Sequence, residues 1–345
     1  MKAHAIHKDV TPAMLVGRVL CHDVRDAVRK VAAHKGDVID EASARTLLGL
    51  PWEELNVLEM EPGDIHEEQA GKRLAAAVVG DGVEVKGYSE GKWSLAATRR
   101  GLFRVRADAL RRANALEGIS VYTLFHGLPV EPGEVVARCK ITPLVIAGTT
   151  IETIERLGGE VKGLVAVDGF RPFTVGAVAR ESLDDRQRAR FEKSLRAKID
   201  WFGARLLPIR YAGPAVSDVA KELNELHAAG VEVLIVAGAS ALDPLDPVFG
   251  ALARVGARMD RHGAPAHPGS LLWIASWEGR PVVGMPSCGM FSEATTFDLV
   301  LPRVLAGERV GNLELAELGH GGLLSRDSAY RFPPYRANVA RGELE

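Results

Sequence analysis

The segment Val231–Asp246, VEVLIVAGASALDPLD, sets an apolar, β-branched run against three small residues, Gly238-Ala239-Ser240, and then two aspartates, Asp243 and Asp246. An apolar run bounded by small residues predicts a buried parallel strand. In open α/β sheets ligands bind beyond the carboxyl ends of strands, where this loop falls. Small residues there let backbone N–H groups approach an anion closely. The carboxylates can hold a hard cation or order a polar ligand. A strand running into a capped turn accounts for the same residues, because Asp and Pro are ordinary turn formers. Asp246 followed by Pro247 also reads as a helix start, with Asp at the N-cap and Pro at the first helical position. The two roles are compatible, since a helix so capped points its positive end at the ligand edge.

Other residues bear on the same edge. Ser240, Ser287 and Ser292 can donate to a phosphate, although helix capping explains Ser292 fully. Glu293 sits in a first helical turn, where the macrodipole already favours an acid. Glu181 and Ser182 follow the first strand of the same region and end at that edge. Cys288 stands in a loop; a small buried hydrophobe is the ordinary role of a free cysteine, whereas a nearby helix N-terminus would lower its pKa. His262 and His267 have no partners spaced for a zinc site and are expected in solvated loops, while Trp273 and Trp277 read as core.

Behind these residues lies a chain of 345 residues, long enough for two or three domains. Its hydrophobic content of 47% and charged content of 26% are those of a soluble globular protein. A formal net charge of -2 leaves no basic footprint for nucleic acid. Three scattered cysteines without a CxxC argue against a disulfide framework or structural zinc. No apolar run approaches the roughly 20 residues that span a bilayer, and the N-terminus lacks a secretory core. A cytoplasmic setting follows as the default.

The elements that must position the site change character along the chain. Residues 1–160 read as a β-rich N-terminal domain, divisible into two subdomains. Within it a strand is expected over Met14–Asp23, helices over Glu41–Leu48, Glu67–Val79, Asp108–Leu116 and Ile151–Leu157, and a hairpin or small β-sandwich about Pro132-Gly133. Gly158-Gly159 reads as a boundary. Residues 163–310 alternate strands and helices, which argues for βαβ units and an independent core. Strands are expected at Phe173–Ala179 and Leu206–Tyr211, with a helix at Asp184–Leu206 whose Phe191, Leu195, Ile199 and Phe202 share a face. Ser217 is the expected cap of the next helix. A further helix covers Pro247–Val255, and strands Leu271–Trp277 and Pro281–Met285 pair across a turn at Glu278-Gly279. The last helix runs from Ser292 to about Ala306 with a kink or break expected at Pro302. Residues 311–345 form a tail expected to wrap over the surface.

Three segments together carry a resemblance. GASALDPLD resembles the Gly-Gly-Thr-Gly-x-Gly-x-x-Asp loop of MoaB/Mog-like molybdopterin-binding domains. Pro268-Gly269 within HGAPAHPGSLLWI resembles their Pro-Gly segment. Gly284-Met285-Pro286-Ser287-Cys288-Gly289, running on to Phe297-Asp298-Leu299-Val300-Leu301-Pro302, is similar to the Gly-Leu-Pro-Gly-Asn-Pro turn and helix of molybdopterin molybdenumtransferases. The match spans roughly Pro172–Val310, and VGRVLCHDV, HKGDVI and EPGDIHEEQAGKRLAAAVVG resemble, more loosely, the unit that precedes such domains. Ala239 replaces a glycine, Asp243 stands where a glycine is usual, and Cys288-Gly289 replaces Asn-Pro. The family's closing aspartate falls on Asp246.

The resemblance implies an α/β fold with a three-layer molybdopterin-binding domain on a mostly parallel sheet, preceded by a β-rich α+β domain. It implies molybdopterin, adenylylated in some members, as ligand and molybdate as a reactant. Gly238, Ala239, Ser240, Asp243, Pro268, Gly269, Pro286, Ser287, Cys288 and Gly289 would contact the ligand, with Ser292 and Glu181 added by their position at the same edge. Asp246 would be catalytic through Mg²⁺, joined by Asp243 as metal ligand or turn residue. Dimers or trimers are common among such proteins. The altered loop residues also allow a non-catalytic carrier or sensor, or a partner in nucleotide transfer.

Overall fold

A computed structural model describes residues 1–180, 182–291 and 294–335, and the chain forms two compact units. The first comprises Met1–Thr98, Val105–Phe125 and Pro132–Val167, and the second comprises Arg99–Arg104, His126–Glu131 and the chain from Asp168 onward. In the described residues no helix is long and apolar enough to cross a membrane.

The first unit mixes antiparallel sheets with helices. Lys2–His7, Glu54–Glu59 and Arg18–Leu20 form a three-stranded sheet. Ile119–Thr123, Val135–Ile141, Lys92–Ala97 and Val83–Ser89 form a four-stranded one. The helix Glu41–Leu48 starts where expected, with the Asp40 side chain accepting from the Ser43 N–H at 2.7 Å. Three expectations are corrected. Pro12–Leu15 is a helical turn, because proline suits a first helical position and not a ladder. The Pro132-Gly133 turn closes no hairpin, since Pro129–Val130 and Val135–Ile141 pair with different strands. Gly158-Gly159 lies inside the helix Gly148–Val161. A side chain at Gly158 would collide with the Ala77 carbonyl, so this glycine serves close packing between helices.

The second unit carries, in chain order, β1 (Thr174–Ala179), α1 (Asp185–Trp201), α2 (Val216–Ala228), β2 (Val233–Ala237), α3 (Pro247–Arg254), β3 (Arg258–His262), β4 (Trp273–Trp277), β5 (Arg280–Met285) and α4 (Thr296–Leu305). Its sheet has the order β1-β2-β5-β4-β3, with short strands Arg205–Leu206 and Arg210–Tyr211 beside β1. The single strand expected over Leu206–Tyr211 is thus in two pieces, with Pro208, which lacks a ladder donor, between them. β1, β2 and β5 are parallel, while β4 and β3 return antiparallel. The β4–β5 hairpin turns at Glu278-Gly279, both with positive φ, as a two-residue turn of this hand requires.

Side-chain alternation builds the layers. Val175, Ala177, Val233, Ile235 and Val283 join Phe191, Leu195 and Ile199 of α1 and Phe297, Val300 and Leu301 of α4 in one core. Val178, Leu234, Val236 and Val282 join Val219, Leu223 and Leu226 of α2 and Val248, Ala251 and Leu252 of α3 in the other. A sheet buried on both faces explains the uninterrupted apolar run of β2. Trp273 and Trp277 are both buried, and Trp273 lies opposite Gly284, where any side chain would enter the indole ring.

Helix ends differ in detail from expectation. α2 begins after Ala215, whose N–H donates to Asp218 at 3.2 Å, so Ser217 is not the cap. α4 continues through Pro302 to Leu305, and its nearly complete burial holds a helix that proline leaves one bond short. The segment after Gly311 is bonded rather than loosely draped. The His267 N–H donates to Gly322 O and the Leu324 N–H to His267 O, each at 2.8 Å. Leu315, Leu324 and Phe332 are buried.

Candidate functional site

The three parallel strands end in register. Ala179 pairs with Ala237, and Ala237 with Met285, so the residues that follow emerge along one edge. These are Arg180, Gly238–Asp246 and Pro286–Gly289. Because β4 is antiparallel to β5, with Trp273 opposite Gly284, the loop entering β4 lies at the same edge. That loop holds Pro268-Gly269, after a cis His267–Pro268 peptide. Pro268 O accepts from the Thr296 N–H at 2.9 Å and from its hydroxyl at 3.0 Å, and Ala266 O also accepts from that hydroxyl at 3.0 Å. Gly269 has φ +104°, and a Cβ there would come within 3.0 Å of the Thr296 nitrogen. Bare backbone at this position lets the start of α4 dock on the Pro-Gly loop.

Asp246 organises the loop after β2. It is 2% exposed, and both carboxylate oxygens are engaged. Oδ1 accepts from the Val248 N–H at 2.9 Å, which caps α3. Oδ2 accepts from the Ser240 N–H at 2.9 Å and from Arg180 Nη2 at 2.6 Å. Arg180 Nη2 also approaches Gly238 O at 3.4 Å. Gly238 itself has φ +83°, a conformation that favours glycine. Asp243 is exposed and accepts from the Leu245 N–H at 2.9 Å, which makes it a turn residue here. Ala241, Leu242, Pro244, Phe249 and His262 line a cavity of about 250 Å³ beside this loop.

This donor set does not fit a resident Mg²⁺ ion. Such a site needs carboxylate and carbonyl oxygens left for the metal together with water. Asp246 instead answers two amides and a guanidinium, and Asp243 answers an amide of its own turn. Among the described residues no three His, Cys, Asp or Glu side chains are grouped to hold a metal.

The turn after β5 runs into a short helix, Ser287–Phe291, so Cys288 is helical rather than in a loop. Pro286 and Gly289 are buried and Ser287 and Cys288 exposed. The Gly289 N–H donates to Pro286 O at 2.8 Å. Although part of its surface is open to solvent, the protein atoms packed around the Cys288 thiol raise it above its ordinary range, while the amides of Cys288 and Gly289 act the other way. Glu181, Ser292 and Glu293 lie outside the described residues.

Two features at the site were missed in the sequence, a buried ion pair and an arginine. Lys198 and Asp298 form a buried ion pair with Nζ to Oδ1 at 2.5 Å, the side chains being 1% and 0% exposed. Asp298 Oδ2 also accepts from the N–H and hydroxyl of Thr295, at 3.0 and 2.8 Å. Burial pushes the Asp298 carboxyl above its usual range, against the pull of Lys198. The signal was present, since Lys198 falls on the stripe of Leu195 and Phe202 at spacings of three and four. Arg180 was the second omission; its only local mark is an abrupt charge after an apolar strand.

No protein-family model matches the chain, and no curated protein matches it. Solved structures similar to it include the molybdopterin biosynthesis MoeA protein from Pyrococcus horikosii, with 17% identity and a TM-score of 0.31 over 70% of this chain and 79% of that one. MogA is similar with 16% identity and a TM-score of 0.27, over 38% of this chain and 92% of that one. A molybdenum cofactor biosynthesis protein from Corynebacterium diphtheriae has 10% identity and a TM-score of 0.27, over 44% and 97%. Likeness at this level carries no weight for mechanism, which rests on the residues at the sheet edge.

Proposed function

We propose that the chain binds molybdopterin at the carboxyl edge of the second unit's sheet and presents it, adenylylated, for molybdenum insertion. One observation carries this reading. The loop ending in Asp246, the Pro268-Gly269 segment and the turn after β5 are far apart in sequence, yet all three emerge at that edge. These are the segments that resemble molybdopterin-binding domains. Molybdate is the reactant in this reading. The Arg180–Asp246 pair favours a second reading, a carrier without turnover, because it engages the carboxylate to which the resemblance assigns metal chemistry.

Mass spectrometry of the ligand that co-purifies from a host making molybdenum cofactor, with titration of molybdopterin, tests the binding. A bound pterin is expected. Gly238→Val puts a β-branched side chain on a positive-φ residue at the loop's start and is expected to weaken binding at least tenfold, about 1.4 kcal/mol. Circular dichroism and Tm would show whether the variant stays folded. Release of AMP from adenylylated molybdopterin with molybdate supports the insertion step, and binding without release supports the carrier. Unchanged affinity in a folded Gly238→Val variant would remove the loop from the site.

A further inference from the structure

We infer that Arg180, rather than a divalent cation, supplies the positive charge at this edge, so that ligand binding here is independent of Mg²⁺. The inference rests on the function proposed above and assigns its electrostatics. Arg180 is fixed by the sheet, its N–H donating to Ala237 O at 3.0 Å as β1 ends beside β2. Its side chain is 20% exposed and lies 2.6 Å from an Asp246 carboxylate that is almost wholly enclosed. A cation seeking Oδ2 would have to displace both the guanidinium and the Ser240 amide.

The same geometry leaves Arg180 with donors to offer. Guanidinium is always charged at physiological pH and carries five N–H groups in a fixed fork. Nη2 serves Asp246 and Gly238, while Nε is buried with no acceptor among the described residues. Two amides at this edge are already spent within the chain, that of Ser240 on Asp246 and that of Gly289 on Pro286. The formal positive charge that a phosphate would meet here is that of the Arg180 side chain, and arginine suits oxyanions through paired hydrogen bonds. Asp246 becomes a positioning residue, which holds the guanidinium at the mouth of the loop.

The test uses the full chain. Mn²⁺ alone is titrated and followed by electron paramagnetic resonance, and molybdopterin is titrated in EDTA and in Mg²⁺. Wild type is expected to bind no stoichiometric Mn²⁺ at micromolar concentration and to bind molybdopterin within about twofold equally in both buffers. Arg180→Gln is expected to weaken molybdopterin at least tenfold, with no rescue by Mg²⁺, and Arg180→Lys to recover part of the loss. A filled Mn²⁺ site in wild type, or a tenfold gain in affinity from Mg²⁺, overturns the inference. If Arg180→Gln does not fold, the wild-type titrations still decide. If molybdopterin binds in neither buffer, the proposed function fails, and the Mn²⁺ titration alone answers whether the carboxylate is free for metal.

Discussion

Lys198 and Asp298 carry opposite charges into a place that water does not reach. Breaking a buried pair by neutralising one partner leaves the other uncompensated, at a cost of about 3–5 kcal/mol. Asp298→Asn is therefore expected to lower stability by that order, and Lys198→Met combined with it to restore most of the loss. Denaturant midpoints of the two variants and wild type check this; an undisturbed midpoint in Asp298→Asn would show that the pair is not needed. At this scale the sequence is legible where interactions are local. Asp246-Pro247 and Asp184 announce helix starts because a cap bonds its own next turn. Arg180 and Asp246 meet across 66 residues, and no period or spacing encodes that distance.

β1, β2, β4 and β5 of the second unit were legible because burial forces apolar runs, and helices because one face must match the sheet. β3, with its polar edge sequence RMDRH, gave no such run. Junctions between elements were less legible too. Gly284 lies in the expected strand, but the reason it is glycine is that Trp273 opposite it takes the volume of a side chain. Only the register reveals that. The end of α4 offers a measurable case. Glu308 Oε1 accepts from Arg303 Nε and Nη2 at 2.9 and 2.5 Å, and Oε2 lies 2.8 Å from Arg104 Nη2. Burial opposes the charge on Glu308, but Arg303 and Arg104 outweigh it and hold the carboxyl below its ordinary 4.5. A depressed folded-state pKa contributes stability above the unfolded value, and that contribution is lost as pH falls through the folded one. Glu308→Gln is thus expected to cost about 1–3 kcal/mol at pH 7 and progressively less below about pH 4.5. Thermal melts across pH 3–7 read the difference, and a gap that widens on acidification would contradict the ion pairs.

Across the whole molecule, the second unit draws on more chain than its βαβ periodicity marks. Arg99–Arg104 and His126–Glu131 belong to it, as does the segment beyond Gly311 that periodicity left blank. That segment lacks a repeating pattern because its anchors are single residues, Leu315, Leu324 and Phe332, spaced by bends and short helical turns. Burying each such side chain contributes about 1.5–3 kcal/mol, an upper estimate since unfolded chains are already partly collapsed. Three of them rival a good part of the roughly 5–15 kcal/mol that keeps a typical domain folded. The segment also holds the His267 backbone on both sides, at the start of the Pro268-Gly269 loop. A chain ending at Gly311 is therefore expected to lose the cooperative transition of its second unit or to melt more than 10 °C lower, since each kcal/mol moves Tm by about 2–4 °C at this size. Molybdopterin affinity should fall with it, because the Pro-Gly loop loses its anchor. Calorimetry of the truncated and full chains reads the first effect, and titration below the truncated chain's Tm reads the second. Equal melting temperatures would mean that the terminal segment is dispensable and that the alternating elements before it suffice for the fold.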